Sequence, residues 1–211
     1  MMPTLAESRK WMAQGTALFF DALATLSDDD YAGPSLLPDW ARGNVVAHIA
    51  ANADAIGNLI TWASTGVETP MYASADDRAQ GIAKGTSLSP ADLRAWLTSS
   101  NDQLVQAMGR LTDEQWLHEV KTVQGRFVPA TETPWMRARE TFVHSVDLGT
   151  GLSFADFPAG FLDALIEEIC AKRGMAALPS QVAGAPAADV AAWLAGRPHG
   201  LVDAPELGPW L

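Results

Sequence analysis

Apolar residues recur at helical spacing along four long stretches of this 211-residue chain. Between residues 4 and 26, Leu5, Trp11, Met12, Leu18, Phe19, Ala22, Leu23 and Leu26 form one stripe, which predicts a helix. Ser27-Asp28-Asp29-Asp30 ends it, and Gly33-Pro34 with Leu37-Pro38 predicts a loop. A second helix is expected over residues 42–64, closed by Thr65-Gly66, and a third from the Ser89-Pro90 cap to about Leu111. The third carries Leu93, Leu97, Leu104, Met108 and Leu111 as its core stripe. The fourth starts at Pro134, which a first helical turn accepts because its missing N–H has no partner there, and stops at Gly149. Trp135, Phe142, Val143 and Val146 give this helix its apolar surface.

The shorter stretches connect these helices. Glu68 to Tyr72 reads as an irregular connector, Asp76 to about Gly85 as a short helix, and Thr112 to Trp116 as a helical start. Glu119 to Val128 is polar and contains Gly125, so a brief hairpin or a loop over the site is expected. Four long helices with such connections predict a mainly α fold, a four-helix bundle over residues 1–151. Beyond Gly151 a helix is expected from Phe157-Pro158 to about Arg173 and another over Ala187–Gly196. The Ala/Pro/Gly-rich stretch between them, Gly174 to Pro186, leaves room for at most one or two short strands. Residues 152–211 therefore form a small C-terminal α/β or helical unit, expected to depend on packing against the bundle because it is too small to hold together alone.

Composition narrows the function. Hydrophobic residues make up 48% and charged residues 18%, the balance of a globular chain rather than a disordered one. A net charge of −11 with no basic stripe argues against nucleic acid, and means that an anionic substrate needs a local arginine cluster. The single cysteine, Cys170, excludes an internal disulfide and a thiolate-rich metal cage, and its apolar setting reads as core. No stretch reads as a signal peptide, and Leu18-Phe19-Phe20 is too short to span a membrane. A cytoplasmic monomer without membrane partners is the expectation.

The candidate chemistry lies on two of the helices. Glu140 and His144, four residues apart, leave the same face of the fourth helix. Alone, this spacing more often describes a solvated or hydrogen-bonded side-chain contact than a metal site. His48 is a lone imidazole on the strongly apolar second helix, Asn44 to Asn52, where it needs a partner. It is either a core histidine bonded to a carbonyl, or it faces Glu140 and His144 and completes a His2Glu set with one position open. Such a site can hold a water or a thiolate and can polarise a carbonyl. A bound zinc deprotonates a thiol, and with no suitable cysteine in the chain that thiol has to come from a small molecule. Asp147, three residues after His144, can orient that imidazole or lie exposed. Arg197 and Arg126 are candidates for a dicarboxylate, because guanidinium pairs carboxylate at two points; Arg197 is alternatively a helix C-cap cation. Arg137 and Arg139 read as the solvated face of their helix, and His118 and His199 as surface residues.

Several runs carry a resemblance. Asn44 to Asn52 around His48, Trp62 to Tyr72 with Thr65-Gly-Val-Glu-Thr-Pro-Met-Tyr72, Gln124-Gly-Arg126 continuing to Arg137, and Arg139 to Gly149 resemble the mycothiol-dependent maleylpyruvate isomerase family. The resemblance spans nearly all of the first 150 residues, within the thiol-dependent metalloenzyme superfamily built on the DinB-like four-helix bundle. It implies zinc held by His48, Glu140 and His144, mycothiol as the low-molecular-weight thiol, and an active-site arginine matched by Arg197. The implied reaction is cis–trans isomerisation of 3-maleylpyruvate to 3-fumarylpyruvate, a step of gentisate catabolism. Thiolate addition turns the double bond into a rotatable single bond, and expulsion after rotation gives the trans product. Zinc and arginine stabilise the developing negative charge.

One departure stands out: Gly174 to Pro186 is too short for the several strands of the family's C-terminal α/β unit. Two alternatives remain beside the isomerase, a mycothiol S-transferase acting on another electrophile and a non-catalytic metal-binding stress-response module. A structural zinc takes a fourth protein ligand, and no cysteine or histidine is placed to supply it, which favours catalysis.

Overall fold

The structure, a computed structural model, describes residues 3–74, 81, 83, 85–208 and 210. Among the described residues the elements in order are α1 (Leu5–Ala24), α2 (Arg42–Thr65), α3 (Pro90–Arg110), α4 (Asp113–Trp116), β1 (Glu119–Lys121), β2 (Phe127–Pro129), α5 (Thr133–Asp147), α6 (Ala159–Lys172) and α7 (Ala187–Leu194), with three short 3-10 turns. The long helices begin and end within a few residues of the positions that apolar spacing predicts. The expected short helix from Asp76 lies largely outside the described residues.

The chain divides into two compact units, Leu5–Thr150 and Met1–Thr4 with Gly151–Leu211. Within the first, α1 packs on α5, α5 on α2, and α2 on α3. Local chemistry sets the helix limits. Asn44 Oδ1 accepts from the Ala41 N–H at 3.0 Å where α2 starts, and Gly66, at φ 73°, returns its N–H to Trp62 O where it ends. Ser89 caps α3 by accepting from the Asp92 N–H. β1 and β2 form an antiparallel hairpin pairing Val120 with Val128, and Gly125 turns it at φ 83°.

Helix α5 is held between two others, so twelve of its fifteen residues are buried, Trp135 and Phe142 among them. Its contact with α1 is close at Gly15, where a Cβ would lie 2.6 Å from Thr141 Oγ1 and 2.8 Å from Phe142 Cδ2. Gly15→Ala gains about 1 kcal/mol of helix propensity, but overpacking costs about 1–3 kcal/mol and wins, because Thr141 and Phe142 are themselves buried. Denaturant unfolding is expected to show a net loss of stability; a midpoint at or above that of the native chain would refute it.

In the second unit α6 packs on α7, and Phe154, Phe157 and Phe161 form a ring cluster. Trp193 Nε1 donates to Pro205 O at 2.8 Å, and Arg173 Nη2 donates to Leu194 O and Gly208 O. Between Gly174 and Pro186 the described residues form turns and no strand, so the helical alternative is the one realised. Gly174 and Gly184 at positive φ, with Pro179 between them, suit turns rather than a ladder.

Candidate metal centre

α2 and α5 run antiparallel, as their cross-links show. Arg42 near the start of α2 donates from Nε to Leu148 O at 2.7 Å, just past the end of α5. Further along, Arg137 near the start of α5 donates from Nη1 to Ile49 O at 2.7 Å and to Asn52 Oδ1 at 2.8 Å. Between these two levels the predicted ligands meet. His48 Nε2 lies 2.9 Å from Glu140 Oε2, and His144 Nε2 lies 3.4 Å from the same oxygen. The two imidazoles are 4.7 Å apart, centroid to centroid, and near perpendicular at 75°. One ligating atom from each of the three lies within 4.8 Å of the others, the one such trio among the described residues.

The surroundings suit a cation. His48 is buried, while the side chains of Glu140 and His144 keep 20% and 13% exposure, so the cluster is open on one side. Burial opposes ionisation of Glu140, yet hydrogen bonds from His144 and His48 and their charge outweigh it and hold its pKa well below the usual carboxylate range. Burial also pulls His144 down, but Asp147 and Glu140 together raise its pKa above the ordinary imidazole value. Asp147 is fully buried, and its Oδ2 lies 2.8 Å from His144 Nδ1. That contact leaves Nε2, the nitrogen on the Glu140 side, as the one that could ligate a metal. Two imidazoles and one carboxylate in this arrangement are the donor set of a catalytic zinc with an open position.

Other expected residues fall elsewhere. Arg126 pairs with Glu132 at 2.9 Å on the hairpin side of the bundle. Arg197 lies in the C-terminal unit just past α7, where Nη1 donates to Ala195 O at 2.7 Å, the role of a helix C-cap cation. His118 and His199 are exposed as expected, although His118 Nδ1 contacts Ala63 O near the end of α2 at 2.6 Å. Cys170 is half-buried on α6. Arg137 and Arg139 overturn the expectation of a solvated face: Arg137 is fully buried and Arg139 is 9% exposed. The reason is that α5 has neighbours on both sides. Trp40, whose ring meets His48 edge-on at 5.8 Å, and Asn52 also belong to the surroundings of the site and carry no sequence signal beyond their neighbourhood. A cavity of about 600 Å³ is lined on one side by Glu68, Pro70, Met71 and Tyr72 and on the other by Lys121 to Gly125. The Trp62–Tyr72 run and the start of the Gln124 run thus meet at one place.

The model of the mycothiol maleylpyruvate isomerase N-terminal domain matches residues 12–149. The chain belongs to the mycothiol maleylpyruvate isomerase family. A crystal structure of the mycothiol-dependent maleylpyruvate isomerase is similar over 99% of this chain and 98% of that one, with 35% identity and a TM-score of 0.90. The crystal structure of a histidine-to-alanine mutant of the mycothiol-dependent maleylpyruvate isomerase matches over the same shares, with 34% identity and a TM-score of 0.90. The family likeness therefore takes in the C-terminal unit as well as the bundle. No match to a curated protein was found. No described helix is long and apolar enough to cross a membrane.

Proposed function

We propose that this chain is a zinc- and mycothiol-dependent cis–trans isomerase converting 3-maleylpyruvate to 3-fumarylpyruvate in gentisate catabolism, acting in the cytoplasm as a monomer on a small dicarboxylate. The observation that carries this reading is the convergence of His48, Glu140 and His144, with ligating atoms within 4.8 Å, in a chain of this family. The meeting of the two family-like runs along one cavity supports it further.

Each residue has a part in this reading. His48, Glu140 and His144 hold the metal and leave one position open, and Asp147 fixes the ring of His144. Zinc, when bound, supplies the positive charge that keeps a thiol in its reactive thiolate form. Mycothiol supplies the nucleophile whose reversible addition makes the cis double bond rotatable. Arg197 pairs with substrate carboxylate, and Arg126 is the second guanidinium assigned to substrate or thiol.

The test is a spectrophotometric isomerisation assay with purified, metal-loaded protein, run without thiol, with mycothiol and with glutathione. Turnover that needs mycothiol and vanishes on chelation is expected. No turnover with any thiol, despite bound zinc, would reject the isomerase in favour of an S-transferase on the same site. In that assay Arg197→Ala is expected to keep its zinc and to lose about 10–100-fold in turnover, the worth of one charge-assisted hydrogen bond. Full activity would remove Arg197 from the mechanism.

A further inference from the structure

Arg137 is a cation set in the middle of the bundle with no exposure, and burial lowers its pKa to about 10. Nη1 donates two hydrogen bonds, to Ile49 O and Asn52 Oδ1, while Nε and Nη2 have no hydrogen-bond partner among the described residues. A buried charge with idle donors is a poor way to stabilise a core, since a hydrocarbon of similar volume fills such a place as well or better. The value of this residue therefore lies in where it holds its partners.

Those partners are specific. Arg137 is one turn before Glu140 on α5, and Ile49 and Asn52 are one and four residues after His48 on α2. At the other end, Arg42 Nε holds Leu148 O, and the Leu36 N–H donates to Asp147 O at 2.9 Å. All three candidate ligands sit between these two pins. Because they come from only two helices, a slide of α2 along α5 would separate His48 from Glu140 without unfolding either helix. Two hydrogen bonds from one nitrogen of a rigid, planar guanidinium, their directions fixed by its plane, oppose such a slide in a way that a freely rotating ammonium cannot.

We infer that Arg137 is a positioning residue that fixes the register of α2 against α5, so that His48 is already opposite Glu140 and His144 before a metal arrives. This rests on the metal reading above and adds the source of the preorganisation.

The test uses the full chain and Co²⁺ as the probe, read by equilibrium titration and by the visible d–d spectrum. Arg137→Met is expected to weaken Co²⁺ binding by about tenfold or more, the scale on which supporting residues act, and to change the shape of the spectrum. Arg137→Lys, which keeps the charge but not the reach and fixed plane of the Nη1 donor, is expected to fall between Met and the native chain. Asn52→Ala removes one of the two acceptors and gives a smaller loss in the same direction, which keeps the test open if Arg137→Met does not fold. The double variant is expected to bind no worse than Arg137→Met alone, because the two residues act through one link. A folded Arg137→Met or Asn52→Ala chain with native Co²⁺ affinity and spectrum overturns the inference, even if its unfolding midpoint has dropped, and so do fully additive losses. Failure of the native chain itself to bind Co²⁺ overturns the metal reading instead.

Discussion

His48→Ala is expected to abolish metal binding and turnover together, while the far-ultraviolet circular dichroism stays that of a helical protein. In the proposed site α2 contributes His48 alone, so its loss leaves two donors on one helix, Glu140 and His144. Two donors do not make a catalytic zinc site, which takes three protein ligands. The fall in affinity should go well beyond the roughly 100-fold that loss of an outer partner brings. The fold survives because the α2 core, with Val45, Val46, Ile49 and Ile56 all at 1% exposure or less, does not depend on the imidazole. Metal analysis after dialysis decides the matter: one zinc per chain in the variant would falsify the ligand assignment.

The second large effect is expected at Asp147. Asp147→Asn preserves the shape of a side chain that is fully buried, but removes the charge facing His144 Nδ1 across 2.8 Å. The amide can still accept that proton, yet it neither raises the basicity of the ring as strongly nor guarantees its orientation, since the amide can turn its N–H₂ toward the ring instead. Zinc affinity is expected to drop about 10–100-fold, with turnover at saturating zinc falling less than affinity. Competition against a chromophoric chelator measures the change, and native affinity in Asp147→Asn would show that the contact is only structural.

Much of the candidate site's geometry was legible in the sequence because helical geometry ties spacing to direction. Glu140, His144 and Asp147 lie at steps of four and three along one helix, and the structure does place them on one side. His48 was legible for a different reason, as a polar ring on a helix whose neighbours are apolar. Arg137 was not, because a helix bearing Arg137, Arg139 and Glu140 reads as having a wet face. Burial of that face depends on α1 and α2 packing on α5 from two sides, a fact of tertiary arrangement that no local pattern contains. The close approach at Gly15 was hidden for the same reason: a glycine within a helix announces nothing until its neighbour is known. In the C-terminal unit the sequence left strands and turns both open, and Pro179 with the positive-φ glycines favoured turns.

The proposed ligands His48 and Glu140 are 92 residues apart in the chain. A metal held by both joins distant parts of the polypeptide much as a cross-link would, and it binds the folded form far better than the unfolded one. Because synthesis runs from the N-terminus, α2 is complete long before the residues that share its metal exist. The ion can therefore be captured only after α5 has been made and has docked. On the proposed ligand set, metal content then reports the fraction of chains whose bundle has closed, and a chelator would narrow the stability margin of this protein without unfolding it.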